Sequence, residues 1–121
     1  MLNGRPVIDV DELRAYCVYQ SSSKAFGEAH VTVVWLWKLA REMGVSQRRA
    51  LLLFFTGSSR IPLDGFDPPL NVTEGADMRE DSLPRAHTCF NQLVLPAYSS
   101  YQVMRDKILF AIANTNSFEM A

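Results

Sequence analysis

The sequence predicts an α+β (mixed α/β) domain. Apolar residues recur at helical spacing in two successive segments between residues 28 and 55. They then fall into short runs at 70–73 and 90–95, each bounded by turn residues. A capped segment with helical spacing follows residue 99. Helix, helix, strands, helix is an order that segregates the two element types instead of alternating them. The chain has 121 residues, of which 48% are hydrophobic, enough for one domain with a real core and too apolar for disorder. No internal repeat and no low-complexity block interrupts it.

In chain order, Asn3-Gly4-Arg5-Pro6 is turn material, because Pro6 biases Arg5 away from helix. Asp9 is a candidate cap for a short helix, with Glu12 at the capping-box position. Leu13, Tyr16 and Cys17 would share one face of that helix, which makes Cys17 a small buried hydrophobe. Ser21-Ser22-Ser23 reads as loop. Residues 28–43 read as a helix with Val31, Val34, Trp35 and Leu39 on one stripe and Gly44 as its stop. Trp37 lies off that stripe, so burial on two sides is expected, with both tryptophans in the core rather than in a ligand cage. His30, near the helix start, is expected to be solvated or hydrogen-bonded rather than a metal ligand.

Ser46 is the candidate cap of a second helix reaching about Phe55, with Arg48 and Arg49 facing out and Gly57-Ser58-Ser59 ending it. Three prolines and a glycine make 61–69 irregular. Leu70-Asn71-Val72-Thr73 is a short strand, and 74–82 is a charged loop. Residues 90–95 are apolar on both alternating faces, as a central strand would be, and Pro96 closes them. Ser99 is the candidate cap of the last helix, with Gln102 completing a capping box and Met104, Ile108, Ala111 and Ile112 facing inward. Asn114 to Ser117 should break it, leaving a tail that carries the aromatic Phe118.

Bulk properties exclude several functions. The net charge is −1, with no basic stripe for nucleic acid and no basic amphipathic helix for a membrane surface. The longest apolar runs fall well short of the ~18 residues of a spanning helix. The first six residues lack the apolar core of a signal peptide. The two cysteines are therefore read as reduced thiols, and Asn71-Val72-Thr73 as a chance glycosylation match. No metal or cofactor is expected. A zinc site from Cys17, His30, His87 and Cys89 would lack paired Cys-x-x-Cys spacing.

One stretch carries chemistry: Leu83-Pro84-Arg85-Ala86-His87-Thr88-Cys89-Phe90-Asn91. If it is extended, His87, Cys89 and Asn91 project from one face. A thiol among polar neighbours is a plausible nucleophile, and residue physics alone goes no further.

This stretch, with Leu95-Pro96-Ala97-Tyr98-Ser99 after it, resembles the active-site strand of HECT-type ubiquitin-protein ligases. Trp35-Leu36-Trp37 resembles the tryptophan-rich helix of the C-terminal lobe of the HECT domain. The run Leu53-Phe54-Phe55-Thr56-Gly57-Ser58-Ser59-Arg60-Ile61-Pro62 resembles the next helix and its loop, continued by Gly65-Phe66. The helix at 100–113 and Phe118 near the end complete a likeness that spans nearly the whole chain.

The resemblance implies a small sheet of about four strands flanked by helices. Residues 1–6 would be a hinge from a missing N-terminal lobe, 7–121 the C-terminal lobe, and 114–121 its tail. It implies a ubiquitin transferase. Cys89 would take ubiquitin as a thioester from a ubiquitin-conjugating enzyme docked on the missing lobe, then pass it to a substrate lysine. His87 or Arg85 would favour the thiolate, and Thr88 or Asn91 would donate to the oxyanion. Phe118 would dock on the other lobe. Family members often end in an acidic residue linked to lysine activation; here Ala121 is terminal, so its carboxylate or Glu119 would have to serve. The partners implied are ubiquitin, the conjugating enzyme and protein substrates, in the cytoplasm or nucleus, with the lobe itself monomeric.

Two other readings compete. One is a ubiquitin-binding or structural module with an inert Cys89. The other is a cysteine hydrolase, since His87, Cys89 and Asn91 supply papain-like residue types; their close spacing argues against it, because such triads assemble from distant segments.

Overall fold

Why the chain folds into two layers is visible in its two central strands. This computed structural model describes residues 8–20, 27 and 29–120, with side chains described as far as Asn114. The elements are α1 (Val10–Ala15), β1 (Cys17–Gln20), α2 (Val31–Glu42), α3 (Val45–Thr56), β2 (Leu70–Glu74), β3 (Arg85–His87), a 3₁₀ turn (Thr88–Phe90), β4 (Gln92–Leu95) and α4 (Tyr101–Met120). The sheet order is β1-β2-β4-β3. β1, β2 and β4 run parallel, and β3 closes the edge antiparallel to β4.

Alternation along each strand sorts the residues. Leu70 and Val72 of β2 and Leu93 and Leu95 of β4 point inward and are fully buried. They meet Leu36 and Leu39 of α2, Leu52 of α3, and Met104 and Ile108 of α4 in one core. Each such aliphatic side chain contributes about 1.5–3 kcal/mol by leaving water. Asn71, Thr73, Gln92 and Val94 take the opposite face. There Gln92 Nε2 donates to Thr73 Oγ1 at 2.8 Å, Thr73 Oγ1 to Asn71 Oδ1 at 2.7 Å, and Asn71 Nδ2 to Gln20 Oε1 at 2.8 Å. The predicted strand at 70–73, the central strand ending at Leu95, the irregular 61–69 and the inward set Met104, Ile108, Ala111 and Ile112 all hold.

Several local expectations are corrected. Asp9 does cap α1, accepting from Asp11 N at 2.9 Å, but the helix ends at Ala15. Cys17 is the first residue of β1, half-buried against the core. Leu39 of α2 is buried as expected, but it is joined by Val33, Leu36, Trp37 and Ala40, while Val31 and Val34 are exposed. Trp37 sets that phase, because its Nε1 donates to Tyr19 OH on β1 at 3.1 Å. His30 caps α2 through Nδ1, which accepts from Thr32 N.

Ser46 is not a cap; Gly44 precedes the first turn of α3 and gives no side-chain bond. Arg48 does not face out. Its guanidinium donates to Ala40 O at 2.8 Å, Arg41 O at 3.0 Å and Ile8 O at 3.2 Å. The last carbonyls of α2 have no partner within their helix, and the two-residue link to α3 brings Arg48 back over them. Ser100, not Ser99, caps α4, its Oγ accepting from Val103 N at 3.2 Å. α4 does not break at Asn114: no Gly or Pro follows, and Asn114 Nδ2 bonds back to Phe110 O at 2.7 Å. The proposed hinge at 1–6, the serine loop at 21–23, Ala121 and the side chains of Phe118 and Glu119 lie outside the described residues.

Candidate active site

β3 and β4 are antiparallel neighbours, so the chain must reverse between His87 and Gln92, which stand opposite each other. Four residues make the reversal. Thr88–Phe90 form a single 3₁₀ turn, and Asn91 follows in the left-handed region at φ 51°, its N–H donating to Thr88 O at 3.2 Å. Only glycine and, less readily, asparagine or aspartate adopt that conformation at small cost. The extended strand expected from 87 to 91 is thus replaced by a turn. His87, Cys89 and Asn91 do not share a strand face, because the alternation stops where the chain bends.

Two flanking segments hold the turn. On one side Asn91 Nδ2 donates to Pro68 O at 2.7 Å, and Asn91 O accepts from Asn71 N at 2.9 Å. The turn is thereby fixed to the 61–69 loop and to β2. On the other side lies the end of α3. Gly57 terminates that helix at φ 83°, donating to Leu53 O at 2.8 Å, and a Cβ there would stand 3.5 Å from Thr88 Cβ. Farther along, Tyr98 is buried and its hydroxyl donates to Ser82 O at 2.8 Å, which fixes the loop feeding β3. Burial pushes that phenol above its ordinary range.

Cys89 is exposed on this turn, with His87 and Thr88 exposed beside it. Asn91 is half-buried and its amide is engaged with main chain, so its position is explained by the turn rather than by a histidine partner. Arg85 sits back, opposite Val94, two residues or about 7 Å along β3 from His87. Along the chain His87, Thr88 and Asn91 thus flank the cysteine at the turn, and Arg85 stands behind them on β3. Sequence reading missed the supports Gly57 and Pro68, and it missed Phe90, which is 65% exposed. The cue for the turn was Asn91 itself, a residue type that tolerates positive φ.

The second thiol contrasts with the first. Cys17 faces inward from β1; desolvation pushes it up to about 12, against smaller opposing effects of hydrogen bonds with Tyr19 and Val72. Among the described residues no group of three or more His, Cys, Asp and Glu side chains is placed to hold a metal ion. None of their helices is long and apolar enough to cross a membrane.

The sequence of this chain matches known proteins. A family model described as HECT-domain (ubiquitin-transferase) matches residues 1–121. E3 ubiquitin-protein ligase HUWE1 of Mus musculus is 38% identical over 123 residues, covering 93% of this chain and 3% of that protein. E3 ubiquitin-protein ligase NEDD4 of Homo sapiens is 37% identical over 125 residues, covering 98% of this chain and 9% of that protein. The chain thus spans a small fraction of the length of these curated relatives.

Proposed function

The chain belongs to the HECT-domain (ubiquitin-transferase) family, and from that premise we propose that it is the cysteine-bearing C-terminal lobe of a ubiquitin ligase, with Cys89 as the acceptor. The Cys89 sulfur attacks the carbonyl carbon of the thioester between ubiquitin and the conjugating enzyme. The old carbon–sulfur bond breaks, a new one forms on Cys89, and the proton lost from Cys89 ends on the departing thiol. One thioester replaces another, so the step is close to thermoneutral and depends mainly on position. A substrate lysine then attacks the new thioester, giving an isopeptide bond and returning the thiol.

The observation that carries this reading is the placement of one sulfur. Cys89 is exposed at the tip of a hairpin that is hydrogen-bonded to Pro68 and Asn71 on one side and lies close to Gly57 on the other. An acceptor that meets two large protein partners in turn needs both access and a fixed position. In this reading His87, next to the turn, acts on the thiol, and Thr88 acts on the tetrahedral intermediate. Asn91 acts by shaping the turn. β3 is a sheet edge, so an extended ubiquitin tail has a strand to lie beside on its way to the sulfur. The larger lobe, reached through residues 1–6, brings the conjugating enzyme, and Phe118 docks against that lobe when lysine attacks.

A ubiquitin carrying a C-terminal electrophile tests the assignment. It should label the folded domain at Cys89 and leave Cys17 unmodified. Labelling that persists at full rate in Cys89→Ala overturns the reading. A folded wild-type domain that resists the probe supports a non-catalytic ubiquitin-binding module instead.

A further inference from the structure

Phe90 has no evident use in folding. An aromatic residue is among the largest apolar groups a domain can bury, yet this one is 65% exposed. Slack in the backbone does not explain it. Asn91, the next residue, is held in the left-handed conformation and bonded to Pro68 O at 2.7 Å and Asn71 N at 2.9 Å. Thr88, two residues before Phe90, lies against Gly57. The ring is held out by a turn that is itself held in place.

Its neighbour along the chain is Cys89. Consecutive Cα atoms are about 3.8 Å apart, and residues on a 3₁₀ turn project about 120° from one another. The ring and the sulfur therefore leave the turn in different directions from neighbouring Cα atoms, and the ring does not block the sulfur. An acyl group joined to that sulfur starts one residue from the ring's point of attachment.

Resting on the acceptor role of Cys89, we propose that Phe90 covers the acyl group carried by Cys89 and protects the thioester from water. The thioester carbon has two fates. In transfer, a lysine nitrogen attacks it, the carbon–sulfur bond breaks, an amide forms and the sulfur leaves with the amine's proton. In hydrolysis, a water oxygen attacks, the same bond breaks, the sulfur leaves as a thiol, and the acyl group ends as a carboxylate with one proton released to solvent. The two routes share an electrophile and differ in nucleophile. An apolar ring beside the carbonyl excludes bulk water from one side, while a lysine delivered by a bound substrate approaches from the other. Phe90 thereby sets the ratio of transfer to waste.

The test uses the complete two-lobed enzyme, charged with activating enzyme, conjugating enzyme and ubiquitin, with ATP then removed. Decay of the reducible adduct is followed without any acceptor amine. Phe90→Ala should lose the adduct to free ubiquitin on the order of five- to tenfold faster than wild type, while Phe90→Leu, which keeps an apolar cover, should fall closer to wild type. If Phe90→Ala forms the adduct and it decays at the wild-type rate, the protective role is wrong. Should the conjugating enzyme fail to charge Phe90→Ala, a small-thiol thioester of ubiquitin charges it directly and the same decay is read. Failure of that route too overturns the proposal, because the ring would then serve acceptance and not protection. Absence of any adduct on wild type instead refutes the acceptor role of Cys89.

Discussion

The two cysteines of this chain sit in opposite kinds of place, and the contrast explains why one of them is fit for chemistry. Cys17 starts an edge strand and points into the helical layer, against the core. Its sulfur makes a long contact of 3.5 Å to the carbonyl of Val18, and desolvation holds it as a neutral thiol up to a pKa of about 12. Cys89 sits at the tip of a hairpin in solvent. A regular strand offers a thiol burial or exposure by parity alone. A turn that is bonded to its neighbours offers exposure together with a fixed position, and an acceptor needs both.

The largest effect expected from this contrast is in reactivity. Iodoacetamide near pH 8 should modify Cys89 in the native protein and reach the half-buried, desolvated Cys17 far more slowly. The ratio of rates should be on the order of a hundredfold or more, and should collapse in denaturant. Mass spectrometry of the alkylated peptides reads both sites at once. Equal native rates would erase the distinction between the two thiols.

How far the sequence foretold this contrast can be argued residue by residue. The inward faces were legible, because period 2 in Leu70 and Val72, and period 3.6 in Met104, Ile108 and Ile112, are imposed by core packing. The α+β class followed from the same patterns, and the family from the residues around Cys89. The phase of α2 was not legible: apolar residues occur on both sides of that helix, and a cross-element bond from Trp37 to Tyr19 selects one. Nor was the position of Arg48, whose partners belong to α2 and to Ile8. The site itself was misread in shape. A hairpin built on Asn-Gly or Asp-Gly declares itself, whereas Thr88-Cys89-Phe90-Asn91 has no glycine or proline and passes for strand. The tie from Asn91 to Pro68 spans 23 residues, beyond any local pattern.

A middle-sized effect concerns Cys17 and pH. The folded-state pKa is raised above the ordinary thiol value of 9.0 to about 12. Below the ordinary value both states hold the proton and stability is unaffected. Between there and the folded value the unfolded chain releases a proton that the folded chain keeps, so stability falls as pH rises. The slope from this one group is at most about 1.4 kcal/mol per pH unit. Urea denaturation of wild type and Cys17→Ala at pH 8 and pH 10.5 isolates it from the tyrosines, which titrate in both. The wild-type midpoint should fall more than the variant's. Parallel falls would mean that Cys17 is not desolvated in the folded domain, and the contrast with Cys89 would lose its basis.

The smallest effect asks whether the turn is held as described or merely exposed. Asn91→Ala removes the bond to Pro68 O and places a Cβ without polar compensation at φ 51°. The two losses together should cost about 2 kcal/mol. Asn91→Gly removes the same bond but suits the backbone, so it should cost about 1 kcal/mol. Thermal or urea denaturation gives both values. The informative comparison is between stability and function: Asn91→Gly should keep Cys89 open to iodoacetamide at the native rate while slowing its reaction with the ubiquitin probe. Small-molecule alkylation needs only access, whereas the bulky probe also needs the sulfur in register with the β3 edge. A variant that loses the bond and reacts with both reagents as wild type does would show that exposure alone suffices, and that the tie to Pro68 serves the fold and not the acceptor.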